Sequence, residues 1–390
     1  MQMDLGAAKP AQSASADPIR VMVVDDSAVV RGLVTRMLEE EKAITVVSSV
    51  GNGQMALNAL DRYDVEVIVL DIEMPVMDGM TALPQMLKKD PDLQIIMSST
   101  LTHKNADVTL KALENGAADY IPKPTSSRDL GAGDFKNELL EKVKAWGAVR
   151  RRKPKRARPA VPGGPLERAK VAAASPAPKA APLYAGPVTL RPPPTEIPDI
   201  IAIGSSTGGP QALFALLGTM RSGTVKQPIL ITQHMPATFT TILAEHISRL
   251  SGWQAAEGQD GEVVKGGRIY IAPGDFHMVV EAKGADKVIR LNKNPPENFC
   301  RPAVDPMFRS VAAVYGRKVL AVVLTGMGHD GMKGGQVVIQ AGGSMVAQDE
   351  PTSVVWGMPG AVATAGLASA VLPLPEIASY VMNVAQRGRP

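Results

Sequence analysis

The chain has one cysteine, Cys300, in 390 residues. That excludes an internal disulfide framework and a cysteine-ligated metal site, and it suits a reducing compartment, the cytoplasm. Aromatic residues reach only 4%, and histidines number five, so few imidazoles are on hand for proton transfer. No apolar run approaches the roughly 20 residues that a membrane helix needs. The opening MQMDLGAAKPAQSASADP has neither a basic stretch nor an apolar core, so residues 1–18 are read as a disordered tail and not as a secretory signal.

Positive charge is also scarcer than the formal +4 suggests. RRRKPKRAR, Arg150 to Arg158, holds seven basic residues and no acid; less those seven, the charge of +4 becomes −3. Basicity confined to one short tract gives no broad nucleic-acid surface. A transcription factor that uses the tract on DNA is the rival reading, and no helix-turn-helix pattern accompanies it.

What is present is enough for two cores, since 45% of the residues are hydrophobic. From Ile19 the runs IRVMVV, ITVVSSV, VEVIVL, LQIIMSS and DYIPKP alternate with helical patterns. In AVVRGLVTRMLEEEK, Val30, Leu33, Val34, Met37 and Leu38 share one helical face. Near-continuous apolar strands alternating with helices predict a doubly wound parallel-sheet α/β domain over 19–137. After one helix-like piece, ELLEKVKAW, a basic and Pro/Ala-rich stretch predicts an extended linker, 138–195, whose basic cluster is a solvated spacer first and a contact for an acidic surface second. Strand and helix signals resume over 196–390 and predict a second parallel α/β domain.

In an open parallel sheet, ligands sit at the carboxyl ends of the strands. VMVVDDS puts Asp25 and Asp26 after the first strand, VIVLDIEMPVMDG puts Asp71 at the end of the third, and YIPKP puts Lys123 after the fifth. Converging carboxylates repel one another, and a magnesium ion relieves that. Together these motifs resemble a response-regulator receiver domain. The resemblance implies that Asp71 accepts a phosphoryl group, with Mg²⁺ held by Asp25, Asp26 and Asp71. It also implies that Lys123 neutralises the phosphoryl oxygens and that Ser98 senses the new phosphate (Ser99 if the alignment slips by one).

In the second domain, IAIGSSTGGP satisfies G-x-S-x-G but neither the dinucleotide nor the Walker fingerprint. A phosphate cradle, and hence a nucleotide-binding output domain, competes with a nucleophilic serine here. A serine needs a base. His103 belongs to the first domain, His246 lies in a helical pattern as a surface or packing residue, His277 follows a turn and could line a cleft, and His329 adjoins an acid. His234, in PILITQHMP, directly follows a strand, and Asp330, in VLAVVLTGMGHDG, follows another. Ser206, His234 and Asp330 are therefore expected to meet at one sheet edge.

IGSSTGGP, ITQHMP, APGDFHM, LTGMGHDG and AQDEPTSVVWGMP, in this order, resemble the catalytic domain of the chemotaxis-receptor methylesterases, the CheB family. The resemblance implies Ser206 as nucleophile, His234 as base and then acid, and Asp330 as its orienter. His329 stands where many relatives have Asn. Backbone N–H groups of the Ser206–Thr207 turn and of the loop around Met327 would hold the oxyanion. The implied substrates are glutamate methyl esters, and particular glutamines, of methyl-accepting chemoreceptors. The implied phosphodonor is the histidine kinase CheA, the esterase itself needs no cofactor, and the chain meets the membrane only through the receptors.

Overall fold

The computed structural model describes residues 17–100, 102–123, 133–152 and 186–387. The predicted N-terminal tail lies outside them except for its last two residues, as does most of the predicted linker. Among the described residues, no helix is long and apolar enough to cross a membrane.

The first domain carries β1 (Ile19–Val24), β2 (Ile44–Val50), β3 (Val67–Asp71), β4 (Gln94–Ser99) and β5 (Asp119–Pro122). They form one parallel sheet in the order β2-β1-β3-β4-β5. Alternate strand residues feed opposite faces. Val21, Val23, Val67 and Val69 pack with Val34 and Leu38 of α1 (Ala28–Glu39), whereas Met22, Val24, Ile68 and Leu70 join a second core. Helices α2 (Gly53–Ala59), α3 (Gly79–Lys89) and α4 (His103–Glu114) cover that second face. Side chains of Ser27, Asn52, Asp78 and Thr102 accept from first-turn amides and start the four helices where the strands end.

Two expectations about the tether are corrected. The helix-like piece expected at the head of the linker is part of a longer helix, α5 (Gly133–Arg152), that continues the first domain past residue 137. Leu139, Val143 and Trp146 enter its core, and Trp146 Nε1 donates to Asp119 Oδ2 at 3.1 Å. The basic tract is likewise not all solvated spacer. Arg150 pairs with Asp90 at 2.8 Å, Arg151 with Glu66 at 2.7 Å, and Arg152 donates to Ser353 O at 2.8 Å in the second domain. Arg150 and Arg151 thus follow the second reading of the tract, contact with an acidic surface.

The second domain has β6 (Ile200–Ser205), β7 (Ile229–Gln233), β8 (Gln254–Glu257), β9 (Arg268–Ile271), β12 (Val319–Val323), β13 (Ser344–Gln348) and β14 (Ala370–Leu372). All pair in parallel, in the order β14-β13-β12-β6-β7-β9-β8. One face is covered by α6 (Gly209–Thr219), α7 (Ala237–Ser251) and α11 (Leu374–Arg387). The other is covered by α8 (Val304–Tyr315), α9 (Met332–Gln340), α10 (Met358–Thr364) and the antiparallel hairpin β10 (His277–Lys283)–β11 (Asp286–Asn292).

The domains touch through α4 and β5 on one side and α6 and α7 on the other. Tyr120 stacks on Phe239 with ring centroids 4.5 Å apart, and Gln211 Nε2 donates to Ala117 O and Ala118 O. His246, expected at the surface or in packing, is fully buried here. Its Nδ1 lies 2.7 Å from Glu114 Oε1 and its Nε2 3.4 Å from Asp107 Oδ1.

Candidate active site and phosphoacceptor site

Each sheet places its polar residues at the carboxyl edge, beside the point where strand order reverses. In the first sheet the reversal lies between β1 and β3, where Asp25 and Asp71 stand. Lys123 Nζ reaches Asp25 Oδ2 at 2.7 Å and Asp71 Oδ2 at 2.8 Å. Ligand oxygens of Asp25, Asp26 and Asp71 lie within 4.8 Å of one another. Three carboxylates facing one ammonium leave negative charge uncompensated, and an all-oxygen set fits Mg²⁺. Burial, opposed by Lys123 and reinforced by Asp25, lifts the Asp71 carboxyl above the usual range. Ser98 stands opposite Asp71 in the β3–β4 register and is buried, whereas the hydroxyl of Ser99 is tied to Thr100 O and Asn105 O.

In the second sheet the reversal lies between β6 and β12. After β6 the chain turns through Gly208, whose φ of 74° suits glycine, and enters α6. Ser205 is fully buried and donates from Oγ to Gln233 Oε1 at 2.6 Å. Ser206 is half-buried; its amide donates to Thr325 O, and its carbonyl accepts from Gly209 N and Gln233 Nε2. The two adjacent serines thus differ sharply: one hydroxyl is consumed in the core and the other faces the edge.

His234 follows β7, and its Nε2 lies 2.8 Å from Asp330 Oδ2. Asp330 also accepts from Val304 N (2.6 Å), Asp305 N (2.9 Å), Gly331 N (2.9 Å) and Asn298 Nδ2 (2.8 Å). Burial works against its charge, but His234 and those amides hold the carboxyl below the usual range. Beside it Asp305 is lifted, by burial first and despite the amide of Gly334. The other ring nitrogen of His234, Nδ1, faces Cys300 Sγ at 3.3 Å. Burial pushes the imidazole down, but the sulfur of Cys300 and the carboxylate of Asp330 outweigh it and lift the ring to about 10.

The structure therefore joins His234 directly to Asp330. It does not join His234 to Ser206 by a hydrogen bond among the described residues; Nδ1 is turned to Cys300 instead. The two are nonetheless neighbours. Ser205 and Gln233 pair at the end of the β6–β7 register and His234 N donates to Ser205 O at 3.1 Å, so Ser206 and His234 each directly follow that last pair. Thr207 is buried in the turn, its carbonyl held by Thr325 Oγ1 at 3.0 Å. Gly326 lies so close that a Cβ there would fall 2.9 Å from Ser206 Cβ, with half-buried Met327 next to it. Two loops thus face each other across Ser206.

Other residues behave differently from, or beyond, what their motifs suggested. His277 is buried: Nδ1 accepts from Ala303 N and Nε2 lies 3.1 Å from Pro295 O, while the ring helps line a surface cavity with Glu297 and Arg309. His329 is exposed. The sequence gives no site role to Asn298, Cys300 or Asp305. Asn298 and Cys300 lie between the β10–β11 hairpin and α8, where no periodicity marks an element, and Asp305 lies in the first turn of α8; the lone cysteine is the one signal.

A carboxylate-rich parallel sheet with its lysine, followed by an α/β domain with an imidazole–carboxylate pair at its edge, defines a response regulator with an enzymatic output domain. Residues 21–132 match the response regulator receiver domain, and residues 201–381 match the CheB methylesterase. The chain is 67% identical over 377 residues to protein-glutamate methylesterase/protein-glutamine glutaminase 1 of Paramagnetospirillum magneticum, covering 96% of this chain and 98% of that one. It is 63% identical over 373 residues to the Rhodospirillum rubrum protein of the same name, covering 95% and 96%. The crystal structure of the Thermotoga maritima CheB methylesterase catalytic domain is 41% identical, covers 48% of this chain and 98% of its own, and has a TM-score of 0.47. The chain belongs to the CheB family of receiver-linked methylesterases.

Proposed function

We propose that this chain hydrolyses glutamate γ-methyl esters, and deamidates glutamines, on chemoreceptors, with Ser206 as nucleophile. The observation that supports the reading is the His234–Asp330 bond directly after β7, with Ser206 directly after the strand paired to it. Ser206 Oγ attacks the ester carbonyl and gives its proton to His234 Nδ1, once the ring has turned from Cys300. Asp330 holds the opposite ring nitrogen as a donor and stabilises the imidazolium. The amides of Thr207 and Met327 receive the oxyanion, those of Ser206 and Gly326 being bonded to Thr325 O and Val355 O. Methanol (or ammonia from glutamine) departs with the proton, and water, activated by the same imidazole, releases the acyl-enzyme as glutamate. The reading is tested by methanol release from methylated receptor membranes, with and without a small phosphodonor; no release in either condition overturns it.

The first domain controls this activity through Asp71, whose carboxylate attacks the phosphorus of a phosphohistidine on the kinase CheA. Lys123 is placed to pair with the phosphoryl oxygens. A magnesium ion held by Asp25, Asp26 and Asp71 would supply further charge neutralisation there. Asp71→Asn is expected to remove the hydroxylamine-sensitive acyl-phosphate label entirely, measured with a radiolabelled phosphodonor. Label that persists at the wild-type level excludes Asp71.

Phosphorylation relieves inhibition. Ser98 pairs with Asp71 on one side and with Ile121 on the other, next to the Tyr120 that stacks on Phe239. A change at the phosphoacceptor therefore has two strands to cross before it reaches α7, the helix that follows His234 in the chain. Holding the domains 99% closed requires about 2.7 kcal/mol, half the span of a full population reversal. Glu114→Gln, which weakens the partner of buried His246, is expected to raise basal methanol release about tenfold and to shrink the gain from the phosphodonor. An unchanged basal rate with full stimulation would show that this interface does not restrain the enzyme.

A further inference from the structure

The segment Glu297–Cys300 is a tight turn closed by Glu297 N to Cys300 O at 3.1 Å and Cys300 N to Glu297 O at 2.9 Å. Its two central residues, Asn298 and Phe299, have φ of 52° and 63°. Left-handed backbone is uncommon for Asn and an outlier for a bulky aromatic, so the surrounding structure must over-determine it. The anchors are visible. Arg309 grips both carboxylate oxygens of Glu297 at 2.6 and 2.9 Å, Asn298 donates to Asp305 and Asp330, and Cys300 meets His234.

The result is that Phe299 projects from a rigid mount whose neighbours on either side touch the two members of the imidazole–carboxylate pair. Its side chain is fully exposed, the highest exposure among the described large hydrophobic residues. Val76 and Val29, the next most exposed, lie in the other domain. An aromatic ring held in water by an unfavourable backbone gains nothing for the fold. It gains a great deal if a partner covers it.

We propose that Phe299 is a specificity-determining residue that docks onto the receptor segment flanking the scissile glutamate ester. The ring packs on apolar side chains next to the ester, while Asn298 keeps it in register with Asp330. The receptor segment that carries the ester is the occupant because the residues on both sides of Phe299 touch the pair that the ester must reach. The inference rests on the hydrolase reading above, and the experiment separates the two.

The test uses the full chain with excess small phosphodonor and a soluble, methyl-esterified receptor cytoplasmic fragment. Phe299→Ser is expected to raise KM about tenfold, at the lower end of what burial of a phenyl ring contributes, with kcat within about twofold of wild type. Phe299→Leu should recover most of the loss, and the melting temperatures of all three proteins should agree, since the ring touches no core. An unchanged KM overturns the proposal. So does a fall in kcat at constant KM, which would mean that the residue acts through His234 and Asp330. A raised basal rate without phosphodonor also overturns it, because Phe299 would then be holding another part of this chain. Inactive wild-type protein, or a fully active Ser206→Ala, defeats the hydrolase reading instead.

Discussion

Ser206→Ala is expected to lower methanol release by ~10⁴-fold or more, because removing a serine nucleophile disables the base and acid that act with it. The adjacent Ser205→Ala should behave in the opposite way. Ser205 Oγ is buried against Gln233 Oε1, so its loss leaves an acceptor unpaired and should destabilise the fold by about 1–3 kcal/mol. Turnover should then stay within a few-fold of wild type. Rate measurements and melting temperatures on both variants distinguish the two serines. A Ser206→Ala enzyme at the wild-type rate, with Ser205→Ala inactive, would move the nucleophile by one residue.

Asp330→Asn should lower kcat/KM by ~10³–10⁴, the scale seen when a carboxylate that fixes a catalytic imidazole becomes an amide. Asp330 accepts four hydrogen bonds besides that of His234, three from backbone amides, and an amide side chain can face those donors with one oxygen only. The pH dependence gives a second reading. Against burial, Cys300 and Asp330 raise His234 above the ordinary imidazole range, so wild-type kcat/KM should climb as the pH rises from 6 toward 9. Removing the negative charge lowers the imidazole, so the residual activity of Asp330→Asn should rise at a lower pH than in the wild type. A wild-type profile already level by pH 7, or a variant with more than a tenth of the wild-type rate, would break the link between this pair and the chemistry.

The two halves of the candidate site differed in how far the sequence revealed them. Asp25, Asp71, Ser206 and His234 follow or end apolar runs. In parallel sheets every such run delivers its last residue to the same edge, so motif position was nearly a spatial coordinate. Asn298 and Cys300 come from a stretch with no period of 2 or 3.6, so nothing in one dimension aimed them at Asp330 and His234. In the helix over Gly133–Arg152, the piece ELLEKVKAW is helical by pattern, but the basic and Pro/Ala-rich residues after it assign it to a linker. Its apolar face, Leu139, Val143 and Trp146, needed the first sheet beside it to acquire meaning.

By itself the sequence determined two parallel α/β domains, an acidic sheet edge with a lysine, and a serine, a histidine and an aspartate at the end of their strands or just beyond. Local periodicity and strand polarity suffice for that, since both act over a few residues. Tertiary structure alone decided which ring nitrogen of His234 meets Asp330, that Cys300 occupies the other, and that His246 is buried against Glu114 and Asp107 of the receiver. Those contacts join residues 66 to 139 positions apart. They depend on strand order and domain docking, to which a local pattern is blind.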